Sequence, residues 1–519
     1  MRSPPPVPPL RDDLRAKKLG GRIVIEDPAR RVRVPIDELG LAVMEVLSEG
    51  PIDPDDLAEA IEAPRIELQR RVALLARQSF LQTARAAEQL RVHEDSAAND
   101  VELTVGETTA LRFQPTLSHG CVACGGCCHG TDVGPLKDDD VAKIREIDWR
   151  PLLPNDVSPE DWIDEVPAER SPTKTPIRLM GMRQGRCVFL GEDKLCIIHK
   201  HKGSQQKPTI CRQFPYTFTK TPQGIDVSFS TECRAWWKAR NNAVPPAGDA
   251  EQLAQIRALI KEGAPILSLP VPIPLAEGID IDLPTWEMMR ADMLRGLEAA
   301  TSVPELVVAL IQPVRRVLDG QLDEYRESEL FATREAFSVP DPDPVDQPQR
   351  FLATLERLKH ALVAGIGGIA NGMREADKRD EADRATRLSW GIEELLSGRR
   401  IDDLVPFTHA LDIWRDLALA SVQSHEPARK GDLVLGIAVL VLKLVTGPML
   451  AGLAAQTALR GRVHEQEVVD AMVLVTKLPR GSAFERLFAG LRRDLATIFL
   501  CDVATLVLGE SPRPVPAWL

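Results

Sequence analysis

Eight of the chain's nine cysteines lie between positions 121 and 233, and thiols packed this densely must either crosslink or hold metal. The first four, Cys121, Cys124, Cys127 and Cys128, spell C-x2-C-x2-C-C. A two-residue gap lets a tight turn aim both sulfurs at one ion. Glycines at 120, 125, 126 and 130 permit such turns, because they tolerate positive φ. The N-terminus, MRSPPPVPPL, has no apolar signal core, so a cytoplasmic, reducing setting is expected. Clustered cysteines there hold metal more often than they form disulfides.

The second group runs Cys187-x8-Cys196, then Cys211 in CRQFP, then Cys233. Cys187 and Cys196 flank Gly191-Glu192-Asp193, a turn signal that folds a hairpin and brings the two sulfurs together. Adjacent Cys127 and Cys128 would face opposite ways in extended backbone, which suggests two metal centres or one multinuclear centre. The spacing Cys121, Cys124, Cys127 is that of bacterial ferredoxins, without their C-x3-C-P ending. It also differs from the CxxxCxxC of radical S-adenosylmethionine enzymes. Thiolates select zinc or an iron–sulfur cluster over magnesium or calcium. Eight thiols make two four-thiolate sets, or one cluster plus one zinc. His199 is an alternative ligand, while His119 and His129 are surplus to a set of eight thiolates.

CVACGGCC, GRCVFLGEDKLCIIHKHKG and KPTICRQFP with a later cysteine resemble the CxxCxxCC cysteine-cluster family, a zinc- or iron-chelating domain. The resemblance covers about residues 117 to 235. It implies that all eight clustered cysteines form the metal-binding set. Flagellin lysine N-methylase is the family's best-defined functional branch, so the resemblance also implies protein lysine methylation with S-adenosylmethionine. No strand–glycine turn–helix fingerprint for that cofactor is present; Gly365 to Gly372 sits in a helical pattern.

The rest of the chain frames this centre. Composition is that of a globular protein, 44% apolar and 27% charged, and a net charge of −12 argues against a nucleic-acid partner. Residues 11–83 read as a hairpin (Gly21 to Ile36) followed by three helices, the second starting at Pro54 behind the cap Asp53. That order is winged-helix-like and resembles the precursor-peptide recognition domain of peptide-modifying enzymes. Residues 84 to 116 read as a polar connector. The cysteine domain spans 117–240, a helical extension 241–337 and a helical domain 350–511, with a proline-rich linker between the last two. Leu433 to Ala455 is apolar for about the length of a membrane span. Lys443 and the break expected at Gly447-Pro448 favour a buried helix pair instead.

The expected fold is mostly α with α+β parts: a winged-helix-like N-terminal domain, a metal-organised cysteine-rich middle and a helical C-terminal domain. Asp138, Asp139 and Asp140 are expected to open a helix. Arg212 is expected either to donate to a thiolate cluster or to grip a carboxylate. Trp236 and Trp237 are expected to pack a domain edge, and Cys501 to lie in an apolar helical core. The function read from these residues is metal or iron–sulfur binding in service of modifying a peptide or protein. The competing classes are a structural zinc protein and a metal-handling protein.

Overall fold

The structure is a computed structural model. It describes residues 6–326, apart from 20–21, 99–108, 115–117, 120, 122, 129–132, 170–174, 184, 234–247 and 277–278. It further describes 411–457 except 430–431, with 386, 467, 468, 471, 475 and 476 as isolated positions. The expectations for Trp236-Trp237, Gly365 to Gly372, Cys501 and the proline-rich linker lie outside the described residues.

The chain opens with three strands, β1 (Arg15–Leu19), β2 (Arg22–Asp27) and β3 (Val32–Ile36), paired antiparallel in that order. The expected hairpin is therefore β2–β3, and β1 is an added strand. Helices α1 (Glu38–Ser48), α2 (Pro54–Ile61) and α3 (Arg65–Arg77) follow. Their starts are chemical: the Asp37 and Asp53 side chains accept from the backbone N–H of Gly40 and Asp55. Ile25, Val43, Leu47, Leu57, Leu68 and Leu75 close a core of their own. A buried pair, Arg11 Nη1 to Asp27 Oδ2 at 2.9 Å, ties the N-terminal segment to β2.

The polar connector expected over 84 to 116 is not one. It contains α4 (Ala84–Ala98) and β4 (Leu111–Phe113). The buried face of α4 includes Gln89, whose side chain exchanges two hydrogen bonds with the backbone of Asp280 (2.7 and 3.2 Å). Arg30 and His93 reach the same Asp280 carboxylate at 3.4 and 2.8 Å, so one aspartate pins the N-terminal module to the body.

In the middle, α5 (Asp138–Arg145) begins on three aspartates as expected. Then come β5 (Ile163–Val166) with β6 (Ile177–Met180), and β7 (Met182–Arg183) with β8 (Arg186–Cys187). Helices α6 (Ile197–Lys202) and α7 (Thr209–Gln213) carry the chain to the hairpin β9 (Tyr216–Thr221) and β10 (Gly224–Phe229). Helix α8 (Ala250–Lys261) packs on that hairpin, and β11 (Ile266–Ser268) joins it. The resulting sheet has the order β11-β9-β10-β4, with β4 and β11 both added parallel to their neighbours. Every residue of β10 is buried.

Among the described residues the second half is mainly helical. After the pair β12 (Ile273–Ala276) and β13 (Ile279–Ile281) come α9 (Leu283–Ala299), α10 (Val303–Arg326), α11 (Leu411–Gln423), α12 (Glu426–Arg429) and α13 (Leu433–Thr457). One core joins them, from Phe229 and Cys233 through Trp286, Met293 and Trp414 to Leu440 and Leu444. The break expected at Gly447-Pro448 does not occur, because α13 runs through Pro448 as one helix. Gly447 instead serves packing: a Cβ there would stand 2.5 Å from the Trp414 ring. Lys443 pairs with Glu426 at 3.0 Å inside this core. Among the described residues no helix is long and apolar enough to cross a membrane.

Candidate metal centre

Seven of the eight clustered thiols sit on three short pieces of chain held by ordinary packing. The first is the loop 121–128. The Ala123 N–H points at Cys121 Sγ and the Gly126 N–H at Cys124 Sγ, each at 3.4 Å. The same two-residue step recurs at Cys187, where burial raises the thiol and the Phe189 backbone partly offsets that rise. An N–H aimed at sulfur favours the thiolate, the form that binds metal. Left-handed backbone at Ala123 (φ 52°) and Gly125 (φ 68°) makes these turns. Gly125 must also be bare, since a Cβ there would meet Lys194 O at 3.0 Å and Leu190 Cδ1 at 3.2 Å. The loop thus lies directly on the hairpin that carries the second group.

That hairpin forms as the turn signal predicts. Gly191 N bonds Leu195 O at 2.9 Å, Ile197 N bonds Phe189 O at 2.8 Å, and Leu190 bridges Cys196. Phe189 packs edge-on against Trp149, which fixes the Cys187 side of the hairpin in an apolar cluster. The third piece is α7 with Cys211. Its first turn is gripped by buried Asp140 of α5, which accepts from Thr209 N (3.0 Å) and Thr209 Oγ1 (3.1 Å). Arg212 grips a carboxylate, that of Glu262, and also donates to Gln205 Oε1 at 2.8 Å and to Lys207 O at 3.2 Å. It anchors the helix rather than a sulfur.

Five thiols lie within one another's electrostatic reach, although no three of their sulfurs come within 4.8 Å of one another. Cys128, Cys187, Cys196 and Cys211 all pack on the Trp149–Phe189 cluster. Cys127 Sγ stands 3.8 Å from Cys128 Sγ. The neighbours do not face apart as extended backbone would require, because Gly126–Cys128 is a 3-10 turn. Around a tetrahedral zinc with sulfur at about 2.3 Å, neighbouring sulfurs stand about 3.8 Å apart. The pair is therefore spaced as two ligands of one ion.

Electrostatics describe the same group. Cys127 is acidified first by accepting from Cys128 and further by Lys207, while the shared proton holds the Cys128 thiol up. Burial pushes Cys187 up to about 12 and raises Cys211 too, and each of these thiols feels Cys196 and Cys127. A bound cation reverses that penalty and binds thiolate in place of thiol.

The other predicted ligands stand apart from the five. Cys121 and Cys124 are exposed on the loop. Cys233 is buried in the helical core with Phe229, and its sulfur lies 3.4 Å from His119 Nε2. His199 is exposed on α6. Sequence reasoning passed over His119; the signal was its place two residues before the first cysteine.

A different cluster went unread in the sequence. Asp226, Glu287 and His425 bring one oxygen or nitrogen each within 4.8 Å of one another, the one such group of three among the described residues. Its charges are largely met by protein partners, although Glu287 Oε1 accepts no hydrogen bond and has only Arg112 Nη2 at 3.6 Å. Arg112 bonds Asp226 twice (2.5 and 2.8 Å), and Arg290 contacts Asp226 at 3.4 Å and Glu287 at 2.7 Å. Two guanidinium charges thus meet two carboxylates. Trp286 Nε1 donates to His425 Nδ1 at 2.9 Å, which assigns the imidazole proton to Nε2, facing Asp226 at 2.5 Å. No lone pair of His425 remains for a metal. The cluster ties the sheet to the helical half.

Against families of known proteins, residues 120–234 match one model, CxxCxxCC, described as a "putative zinc- or iron-chelating domain". The match spans all eight clustered cysteines and agrees with the resemblance read from their spacing. No curated protein and no solved structure matches the chain.

Proposed function

We propose that this chain holds zinc or iron on the thiols of residues 121–233, and that the centre serves the modification of a peptide or protein. The observation that supports the metal reading is the thiol group itself: Cys127 Sγ stands 3.8 Å from Cys128 Sγ, and Cys128, Cys187, Cys196 and Cys211 share one apolar cluster. Cys127, Cys128, Cys187, Cys196 and Cys211 would hold the ion, which supplies soft Lewis acidity or, as an iron–sulfur cluster, one-electron chemistry. The peptide reading rests on the N-terminal sheet and three helices, whose edge strand β1 (RAKKL) is exposed along its whole length and basic. Exposed strand edges accept an added strand, so an acidic or extended peptide suits it.

Within this reading the enzyme is of the lysine N-methylase type and takes S-adenosylmethionine. Titration calorimetry with that cofactor on metal-loaded protein tests it, and absence of binding removes the methylase assignment. A second reading, a structural zinc protein, draws on the burial of Cys187 and the packing of Cys128, Cys196 and Cys211 around a hydrophobic cluster, as in closed sites. Anaerobic purification with metal analysis and a visible spectrum separates the two. Brown protein with acid-labile sulfide excludes plain zinc. Colourless protein with stoichiometric zinc excludes the cluster, and labile, substoichiometric metal would favour a metal-handling role.

A further inference from the structure

Cys233 packs in the helical core and not in the cluster of Cys128, Cys187, Cys196 and Cys211, and its neighbour is a nitrogen rather than a sulfur. His119 Nε2 lies 3.4 Å from Cys233 Sγ, with His119 only 6% and Cys233 9% exposed. The ring stacks on Phe229 at 5.6 Å and 27°, which fixes the direction of Nε2. With nitrogen at about 2.0–2.1 Å and sulfur at about 2.3 Å from a tetrahedral ion, the two donors stand about 3.5 Å apart. We infer that His119 and Cys233 are the seed of a second metal site, separate from the Cys127–Cys211 group and of mixed nitrogen–sulfur character.

Further donors are close along the chain. Cys121 follows His119 by two residues, within about 7 Å of backbone, and Cys124 follows on the same loop. Both are exposed and neither packs on the Trp149–Phe189 cluster. The nine donors then divide as five thiols in one site and Cys121, Cys124, Cys233 and His119 in the other. Three cysteines and one histidine is a recurrent structural zinc set. Because Phe229 and Cys233 belong to the core of the helical half, this ion would fasten the cysteine loop to that half.

The inference rests on the metal reading proposed above, and the test separates the two. The full chain is purified, reconstituted with Zn(II) or with Co(II), and its bound metal counted. Wild type is expected to hold a mixed-ligand ion in addition to the thiolate-bound one. His119→Asn and Cys233→Ser should each lose one ion and keep the thiolate-rich Co(II) spectrum. His119→Cys should restore the count, and Cys127→Ser with Cys128→Ser should lose the other ion instead. Circular dichroism of each variant checks folding. A wild-type count unchanged by both His119→Asn and Cys233→Ser overturns the second site and leaves the first. A wild type that binds no metal overturns both.

Discussion

Two regions of this molecule gather charged or ionisable side chains from distant parts of the chain, and they finish differently. Around Asp226, carboxylates, guanidinium groups and an imidazole neutralise one another, and the Asp226 and His425 side chains are fully buried. Around Cys187, thiols lie within one another's electrostatic reach, and the positive charge of Lys207 acts on Cys127 and Cys211. The first set is largely neutralised by protein partners; the second is not, and this difference underlies the metal reading proposed above. Proximity of donors alone therefore does not mark a metal site. The sign of the surrounding charge does.

The largest expected effect breaks the complete set. Asp226→Ala strips Arg112 and His425 of their main partner, leaves Glu287 alone against two guanidinium groups, and should cost about 3–5 kcal/mol in urea unfolding; a loss under about 1 kcal/mol would show that the network merely fills space. Next comes the incomplete set. Metal at about a hundred times its dissociation constant should add about 2.7 kcal/mol, read as a fall in melting temperature when a chelator is added. A melting curve indifferent to chelator would erase the contrast between the two regions.

Thr209→Val removes one hydrogen bond to Asp140 and should cost about 1 kcal/mol, with weaker metal binding because Cys211 rides on the same turn. Unchanged affinity would mean that α7 is held without Asp140. The smallest effect is a slope. Burial lowers the pKa of His425 below the usual 6.5, so the folded state keeps it neutral while the unfolded chain takes up a proton. Its stabilisation is fully present above 6.5 and is lost as pH falls through the folded pKa. His425→Gln should flatten the stability curve below 6.5, and an identical slope in both proteins would remove His425 from the account.

Much of the centre was legible because its signals are local. The C-x2-C gaps, the glycines beside them and the turn between Cys187 and Cys196 fix backbone over a few residues. Asp53 and the aspartates before Val141 announced their helices in the same way. What escaped reading depends on partners far away. Helix α4 hides a glutamine, Gln89, satisfied by Asp280 some 191 residues on, so its pattern looked polar. Pro448 read as a breaker because nothing near it shows that Trp414 packs on Gly447. Cys233 looked like the eighth thiolate, and only the fold sets its sulfur beside His119. The Asp226 cluster draws on β4, β10, α9 and the turn after α11, and no spacing rule connects them.

Strand β10 carries a consequence for how the chain is made. It is flanked by β4, which precedes the cysteines, and by β9 and through it β11, which follows them. Its Ser228 hydroxyl donates to Ala420 O at 2.8 Å, across 192 positions. During synthesis the cysteine segment therefore emerges long before the helices that cover one side of it. High contact order of this kind slows folding and leaves reactive surface waiting. A fragment cut to residues 120–234 would share that plight permanently, lacking β4, β11 and α11. The family-matched segment depends for the cover of β10 on strands and helices from both sides of it in the chain.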